Sequence, residues 1–380
     1  MSLFELPPLS LYVHIPWCVQ KCPYCDFNSH GLKGGIPETE YIAHLSADLE
    51  QDLKWVQGRK LHSIFFGGGT PSLLSEEGVA KIIAEIRNRI DFESDIEITL
   101  EANPGTLEYN KFEGFHQGGV NRISIGIQSF QEDKLKALGR IHNGQNALDA
   151  ARFAKNTVPR FNLDLMHGLP NQSLEDALSD LKQAVKLGSD HLSWYQLTIE
   201  PNTLFHSRPP TLPEDEVLWH IQEQGQKLIA EAGFEQYEIS AYSKNGSQSR
   251  HNLNYWRFGD YLGIGCGAHG KVTDIANGEI IRTEKVKHPK GYMDLTKPYL
   301  YKSWQVEEED RPFEFFMNQL RLVEPFDLRR YEKTTGLSAM PLLPIIDSAV
   351  AKGYLNQNGF TLQTTAKGKL FYNDLVDLFL

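Results

Sequence analysis

Residues 12–27 read YVHIPWCVQKCPYCDF, an apolar run that breaks at Pro16 and is followed at once by Cys18, Cys22 and Cys25. The chain has four cysteines, and three of them fall within eight residues. So few thiols in so long a chain do not make a disulfide scaffold, whereas thiols clustered on one loop point to metal or redox chemistry. Three thiolates can hold three irons of a cubane [4Fe–4S] cluster and leave the fourth iron open to a small molecule. A structural zinc site is the rival, with His14 or His30 as fourth ligand. Such sites usually pair two C-x-x-C knuckles across a longer insert, so the spacing favours the cluster. Cys266 stands apart inside GIGCGAHG.

Outward from this stretch, apolar runs recur as LYVHI at 11–15, SIFFG at 63–67, IEITLEA at 96–102, RISIGIQ at 122–128, FNLDLM at 161–166 and HLSWYQL at 191–197. The starts at 11 and 191 bracket five steps of 36 residues on average, the length of a strand, a helix and two loops. EEGVAKIIAEIRNRI and LEDALSDLKQAVKLG between them repeat apolar residues at three- and four-residue spacing, with Ser75 and Ser173 as N-caps. Most of these strands end in polar or glycine-rich sequence: the cysteines, Gly67-Gly68-Gly69-Thr70-Pro71, then Glu101 and Asn103, then Gln128. Asp164 and His167 lie in the fifth and Gln196 in the sixth. A single polar strand end is an ordinary turn, but six together predict a site at the carboxyl face of an α/β barrel.

The 380 residues allow a large α/β body and a smaller domain. The expected division is a barrel core over 1–213, a connecting segment over 214–309, and a C-terminal unit over 310–380. That unit reads as helices near 311–322, 326–334 and 340–352, a hairpin in YLNQNGFTLQTT and a final helix to Leu380, a winged-helix-like order. It carries eight Lys/Arg against eight Asp/Glu, and the whole chain has a net charge of −11. Neither fits a phosphate-binding surface, so nucleic acid is not an expected partner. No run approaches a membrane span, and MSLFELPPLS lacks the basic start and apolar stretch of a signal peptide, which makes the cytoplasm the expected location.

YVHIPWCVQKCPYCDF with GGGTPS about 45 residues later resembles the radical-SAM superfamily. The flanking YVHIP and the later GLPNQS at 168–173 narrow the resemblance to the branch of oxygen-independent coproporphyrinogen III oxidases and HemW-type heme chaperones, along essentially the whole chain. It implies a partial (β/α)6 barrel with the winged-helix-like domain behind it. It also implies a cluster whose open iron is chelated by the amino and carboxylate groups of S-adenosylmethionine, which an electron can cleave to a 5′-deoxyadenosyl radical. Carried over residue by residue, Tyr12 sits beside the cluster, and Gly68, Gly69 and Thr70 run along the methionine moiety. Glu101, Gln128 and Asp164 contact the cofactor, ribose hydroxyls included, and Arg140 in LGRIH pairs with a carboxylate. Those residue types suit the tasks: carboxylates and amides bind hydroxyls, and a guanidinium grips a carboxylate bidentately.

Within the branch, the oxidases resemble C-x-x-x-C-x-x-C-x-C, and here the last position is Phe27. They also carry a long segment before the first strand, whereas eleven residues precede Tyr12 here. The chaperones are marked by H-N-x-x-Y-W, and residues 251–256 read HNLNYW. The resemblance thus implies heme binding, with His251 as the iron ligand and Tyr255 and Trp256 against the porphyrin; a neutral imidazole suits heme iron and aromatic rings suit a flat ligand. The competing reading is a hydrogen-bonded core histidine. His269 is a further candidate, although Gly270 stands where the family has a serine. The resemblance also implies heme-requiring recipients, membrane respiratory complexes among them, and a homodimer.

Overall fold

A computed structural model of the chain describes residues 4–32, 34–294 and 296–380. Six strands, β1 (Leu9–Ile15), β2 (Leu61–Gly68), β3 (Phe92–Ala102), β4 (Arg122–Gln128), β5 (Arg160–His167) and β6 (His191–Gln196), pair in sequence order and all in parallel. Each contains most of the run read from sequence, and β4 matches it residue for residue. Helices follow most of them: α1 (Glu38–Asp52) precedes β2, and α2 (Glu76–Arg87), α3 (Gly144–Thr157), α4 (Leu174–Leu187) and α5 (Asp215–Glu231) come after β2, β4, β5 and β6. Ser75 caps α2 by accepting from the Gly78 amide, and Ser173 forms a capping box with Asp176 on α4.

Strand alternation builds the two faces of this incomplete barrel. Ile64, Phe66, Ile98, Leu100, Ile123, Ile125, Leu163 and Leu165 share one buried core with Val79, Ile82 and Ile83 of α2 and with the alanines of α3. The residues between them, Ser10, Ser63, Thr99, Ser124, Asn162 and His191, are just as buried but polar, and fill the lumen. Hydrogen bonds tie this polar face together, such as Ser10 Oγ to Ser63 Oγ at 2.7 Å and Asn162 Nδ2 to Ser124 Oγ at 2.7 Å.

Residues 214–309, read from sequence as a connecting segment, contribute further strands to the same sheet. β7 (Ala241–Ser243) lies antiparallel to β6, and the two-residue strand Glu235–Gln236 lies beyond it. On the other side β8 (Asp260–Ile264) runs parallel to β1 from Leu9↔Asp260, and β9 (His269–Asp274), β10 (Glu279–Lys285) and β11 (Leu300–Gln305) follow antiparallel. The described strands of this sheet number twelve. Asp260 anchors the extension from a fully buried position. Its carboxylate accepts from Lys271 Nζ at 3.0 Å, Arg59 Nη1 at 2.8 Å, and the Thr273 amide and hydroxyl at 2.8 and 2.9 Å. The HNLNYW stretch forms α6 (Arg250–Trp256), capped by Ser249.

The C-terminal unit has the expected order: α7 (Arg311–Gln319), α8 (Leu328–Thr335), α9 (Leu343–Ala351), and a hairpin of Leu355–Asn358 with Thr361–Thr364. Its aromatic core of Phe315, Phe316, Phe326, Tyr331 and Phe379 also takes in Phe4 and Phe258, which fastens the unit to the chain's beginning and to the end of α6. The expected single last helix is instead two short ones, Ala366–Leu370 and Tyr372–Val376, because Phe371 leaves the helical region at φ −105°, ψ 42°.

Candidate functional site

The cysteine loop springs from the end of β1 and is closed at its base by a short parallel ladder, Trp17↔His30 and Cys18↔Gly31. All four cysteines are free thiols. Cys18, Cys22 and Cys25 line one cavity of about 310 Å³ at the carboxyl ends of the barrel strands. Cys266 is not in that lining; it is buried, donates to the Lys287 carbonyl at 3.0 Å, and burial pushes its thiol up to about 12. Burial also raises the Cys18 and Cys25 thiols, opposed by hydrogen bonds from Thr70 and Ser29 to Cys18 and from the Phe27 amide and Ser29 to Cys25.

A continuous polar arc joins two of these thiols. Thr70 Oγ1 donates to Cys18 Sγ at 3.6 Å and accepts from Asn103 Nδ2 at 3.1 Å. Asn103 Oδ1 accepts from Arg140 Nη2 at 2.6 Å, and Arg140 Nη1 donates to Cys22 Sγ at 3.6 Å. Arg140 also holds the Gly126 carbonyl at 2.9 Å, while its buried Nε has no partner among the described residues. Such donors favour sulfur in its thiolate form, the form that binds iron. Two glycines let the loop sit down on β2. A Cβ on Gly69 would lie 2.5 Å from the Trp17 carbonyl oxygen, and Gly68, at φ +109°, would drive one into the His14 ring.

The remaining wall is carboxylate and amide. Glu101, Gln128, Asp164, Ser124 and Tyr195 line the cavity. Burial raises the Glu101 carboxyl to about 8, with Asp164 adding to the shift and the Gly68 amide opposing it. Gln128 adopts a left-handed φ of +65° at the end of β4 and its Oε1 accepts from Tyr195 at 2.9 Å. Asp164 ends a directed chain of hydrogen bonds through the lumen. The Ser249 amide donates to Tyr237 Oη at 3.3 Å, and Tyr237 donates to His191 Nε2 at 2.7 Å. His191 Nδ1 donates to Asn162 Oδ1 at 2.6 Å, and Asn162 Nδ2 and Ser124 Oγ donate to the two Asp164 oxygens at 2.7 and 2.8 Å. Burial lowers the His191 ring well below its ordinary value, so it is neutral and passes direction through one protonated nitrogen.

Of the residues named from sequence, the three cysteines, Gly68, Gly69, Thr70, Glu101, Gln128, Arg140 and Asp164 face this cavity together. Tyr12 is not in its lining; its hydroxyl meets His14 Nδ1 at 3.0 Å and its ring stacks on Phe65. His14 Nε2 lies 2.8 Å from the Asn28 carbonyl, so both its nitrogens are engaged away from the thiols. Asn103, Ser124 and Tyr195 were not singled out as ligand contacts. Ser124 and Tyr195 share lumen parity with Asp164, which is the signal that would have found them.

The HNLNYW residues lie elsewhere and face different surroundings. His251 is buried in the lumen, with Nδ1 2.9 Å from Ser63 Oγ, Nε2 3.2 Å from Tyr255 Oη, and its ring stacked on Phe65. Burial lowers it to about 3, so it is neutral. Trp256 turns the other way, against Tyr237, Leu253 and Leu322, with the Arg321 guanidinium over its ring at 4.3 Å. His269 stands exposed at the start of β9.

An incomplete parallel barrel with three thiols on the loop after its first strand and a glycine-rich end on its second defines a radical-SAM protein. The family profile described as Radical SAM superfamily matches residues 12–184, and that of the HemN C-terminal domain matches residues 306–371. The curated heme chaperone HemW of Haemophilus influenzae is 59% identical over 99% of both chains, and that of Escherichia coli 57% identical over 100% of both. The chain belongs to the HemW family of heme chaperones within that superfamily. The solved structure of Escherichia coli coproporphyrinogen III oxidase (HemN) shares the fold at a TM-score of 0.83 and 21% identity, covering 98% of this chain and 90% of that one. Among the described residues no helix is long and apolar enough to cross a membrane.

Proposed function

We propose that this chain is a cytoplasmic heme chaperone that carries a [4Fe–4S] cluster, binds S-adenosylmethionine and heme, and delivers heme to heme-requiring recipients, membrane respiratory complexes among them, as a homodimer. The observation that carries the reading is identity above 55% with curated heme chaperones along the full chain. The cavity fits the cofactors. Cys18, Cys22 and Cys25 would hold three irons, and the cluster, when bound, supplies an open iron and a single electron. Arg140, with a buried Nε left over, suits a carboxylate; the Gly68 and Gly69 backbone admits the methionine end; Glu101, Gln128 and Asp164 suit ribose hydroxyls.

The alternative, an oxygen-independent coproporphyrinogen III oxidase, shares the fold at 21% identity, but Phe27 stands where that branch has its extra cysteine. Within the chaperone reading, α6 is the heme-contacting segment, with His251, Tyr255 and Trp256 as its residues. Iron ligation by His251 requires that its bonds to Ser63 and Tyr255 be given up. The test is a heme titration and a coproporphyrinogen decarboxylation assay on the same anaerobically reconstituted protein. Heme binding without carbon dioxide release is expected. Multiple-turnover decarboxylation would overturn the reading in favour of the oxidase.

A further inference from the structure

Beneath the cysteine cavity the barrel lumen holds a layer of polar side chains, and strand parity puts it there. Asn162 and Asp164 are successive inward positions of β5, and register sets Ser124 of β4 on one side of Asn162 and His191 of β6 on the other. Ser124 and Asp164 line the cavity, whereas Asn162 and His191 lie outside its lining, 1% and 2% exposed. Polar groups buried so deeply are unfavourable unless each is paired, a demand that an apolar layer of similar size would not make.

The pairing has a direction, fixed from its far end. The Ser249 backbone amide can only donate, so the Tyr237 oxygen accepts there and its proton goes to His191 Nε2. The ring, kept neutral by burial and by the Arg122 and Arg160 charges, then carries its own proton on Nδ1 and donates to Asn162. Asn162 must therefore turn Oδ1 to His191 and Nδ2 to Asp164 Oδ1, 2.7 Å away, and Ser193 adds a donor to the same Oδ1 at 3.3 Å. The opposite tautomer would leave the Tyr237 proton without an acceptor among the described residues and set the Asn162 oxygen against the carboxylate.

Asp164 thus has one donor behind each oxygen, and among the described residues no lysine or arginine forms an ion pair with it. Each oxygen keeps a further lone pair for a ligand. Two acceptors held at a fixed orientation suit the two neighbouring hydroxyls of a ribose.

We propose that His191 is a positioning residue for cofactor binding: through Asn162 it fixes the Asp164 carboxylate in the orientation that receives both ribose hydroxyls of S-adenosylmethionine. The proposal rests on the S-adenosylmethionine reading and adds to it a residue outside the cavity. The experiment measures equilibrium binding of S-adenosylmethionine and of its 2′,3′-dideoxyribose analogue to anaerobically reconstituted protein, with cluster absorbance as the check on folding. His191→Phe should weaken S-adenosylmethionine binding about tenfold and leave the analogue's affinity as in the wild type. His191→Asn, whose amide nitrogen replaces Nδ1, should restore most of that affinity although the smaller side chain leaves the protein less stable to urea. Tyr237→Phe removes only the far hydroxyl and should weaken binding about threefold; it decides the matter if His191→Phe does not load a cluster. In an Asp164→Asn background, His191→Phe should cost nothing further. Equal losses for the two ligands, additive losses in the double variant, unchanged affinity in Tyr237→Phe, or affinity that follows urea stability rather than the hydrogen bond would each make His191 a structural residue and overturn the proposal. No S-adenosylmethionine binding by the wild type would instead sink the cofactor reading itself.

Discussion

Glu101 makes the cavity's electrostatics measurable before any cofactor is added. Its carboxyl is raised from the ordinary 4.5 to about 8, first by burial and then by Asp164. The folded state therefore holds this proton more tightly than the unfolded chain, and its contribution to stability is fully present below about 4.5 and lost as pH rises to about 8. A shift of that size corresponds to on the order of 5 kcal/mol in a dry site. The side chain lines a cavity and is only half-buried, so solvent screening reduces the expectation to about 2–3 kcal/mol. Glu101→Gln keeps the shape and removes the titration. Urea unfolding of the cluster-free wild type and variant at pH 5 and pH 9, with equal slopes, reads the difference directly. The wild type should lose about 2–3 kcal/mol more than the variant across that interval. Parallel pH dependence in the two proteins would refute the assignment of Glu101 as a carboxyl that is neutral at pH 7.

Anaerobic reconstitution with iron and sulfide should load one four-iron cluster per chain in the wild type and in Cys266→Ser, and fail in Cys18→Ser, Cys22→Ser and Cys25→Ser; iron analysis and visible absorbance check this. Gly69→Ala places a methyl 2.5 Å from the Trp17 carbonyl, a backbone atom with little room to yield, so cluster loading should fall to less than about half while far-UV circular dichroism stays unchanged. Asp260→Ala leaves Lys271 buried without its carboxylate and should cost about 3–5 kcal/mol in urea unfolding, whereas a cost under about 1 kcal/mol would mean the extension is not held by that ion pair.

The local parts of this protein are legible in its sequence. The cysteine loop is contiguous, the six parallel strands are apolar runs, and the polar strand ends at Gly68, Glu101, Gln128 and Asp164 follow directly from them. Short-range periodicity determines these, because a strand's outward face must bury against helices wherever the strand lies. The strands beyond β6 were harder to see. β11 is exposed along its whole length, and β9 (HGKVTD) and β10 (EIIRTEK) interrupt their few apolar residues with polar ones, so none carries a continuous apolar run; they extend the sheet from β8, which pairs with the free edge of β1.

Orientation is what the tertiary structure decided. HNLNYW is plain in the sequence, but whether His251 offers a nitrogen outward depends on which face of α6 meets the barrel. Here Ser63, Phe65 and Tyr255 take that face, leaving Arg250, Leu253 and Arg257 on the other side of α6. Arg140 is one cation among many in the sequence until the fold brings it to Cys22, 118 positions away. The sequence by itself determined the chemistry this chain can carry, since thiols, carboxylates and glycines are local choices. Only the tertiary structure decided which of those groups meet, because strand pairing and helix docking are long-range contacts whose partners no local pattern encodes.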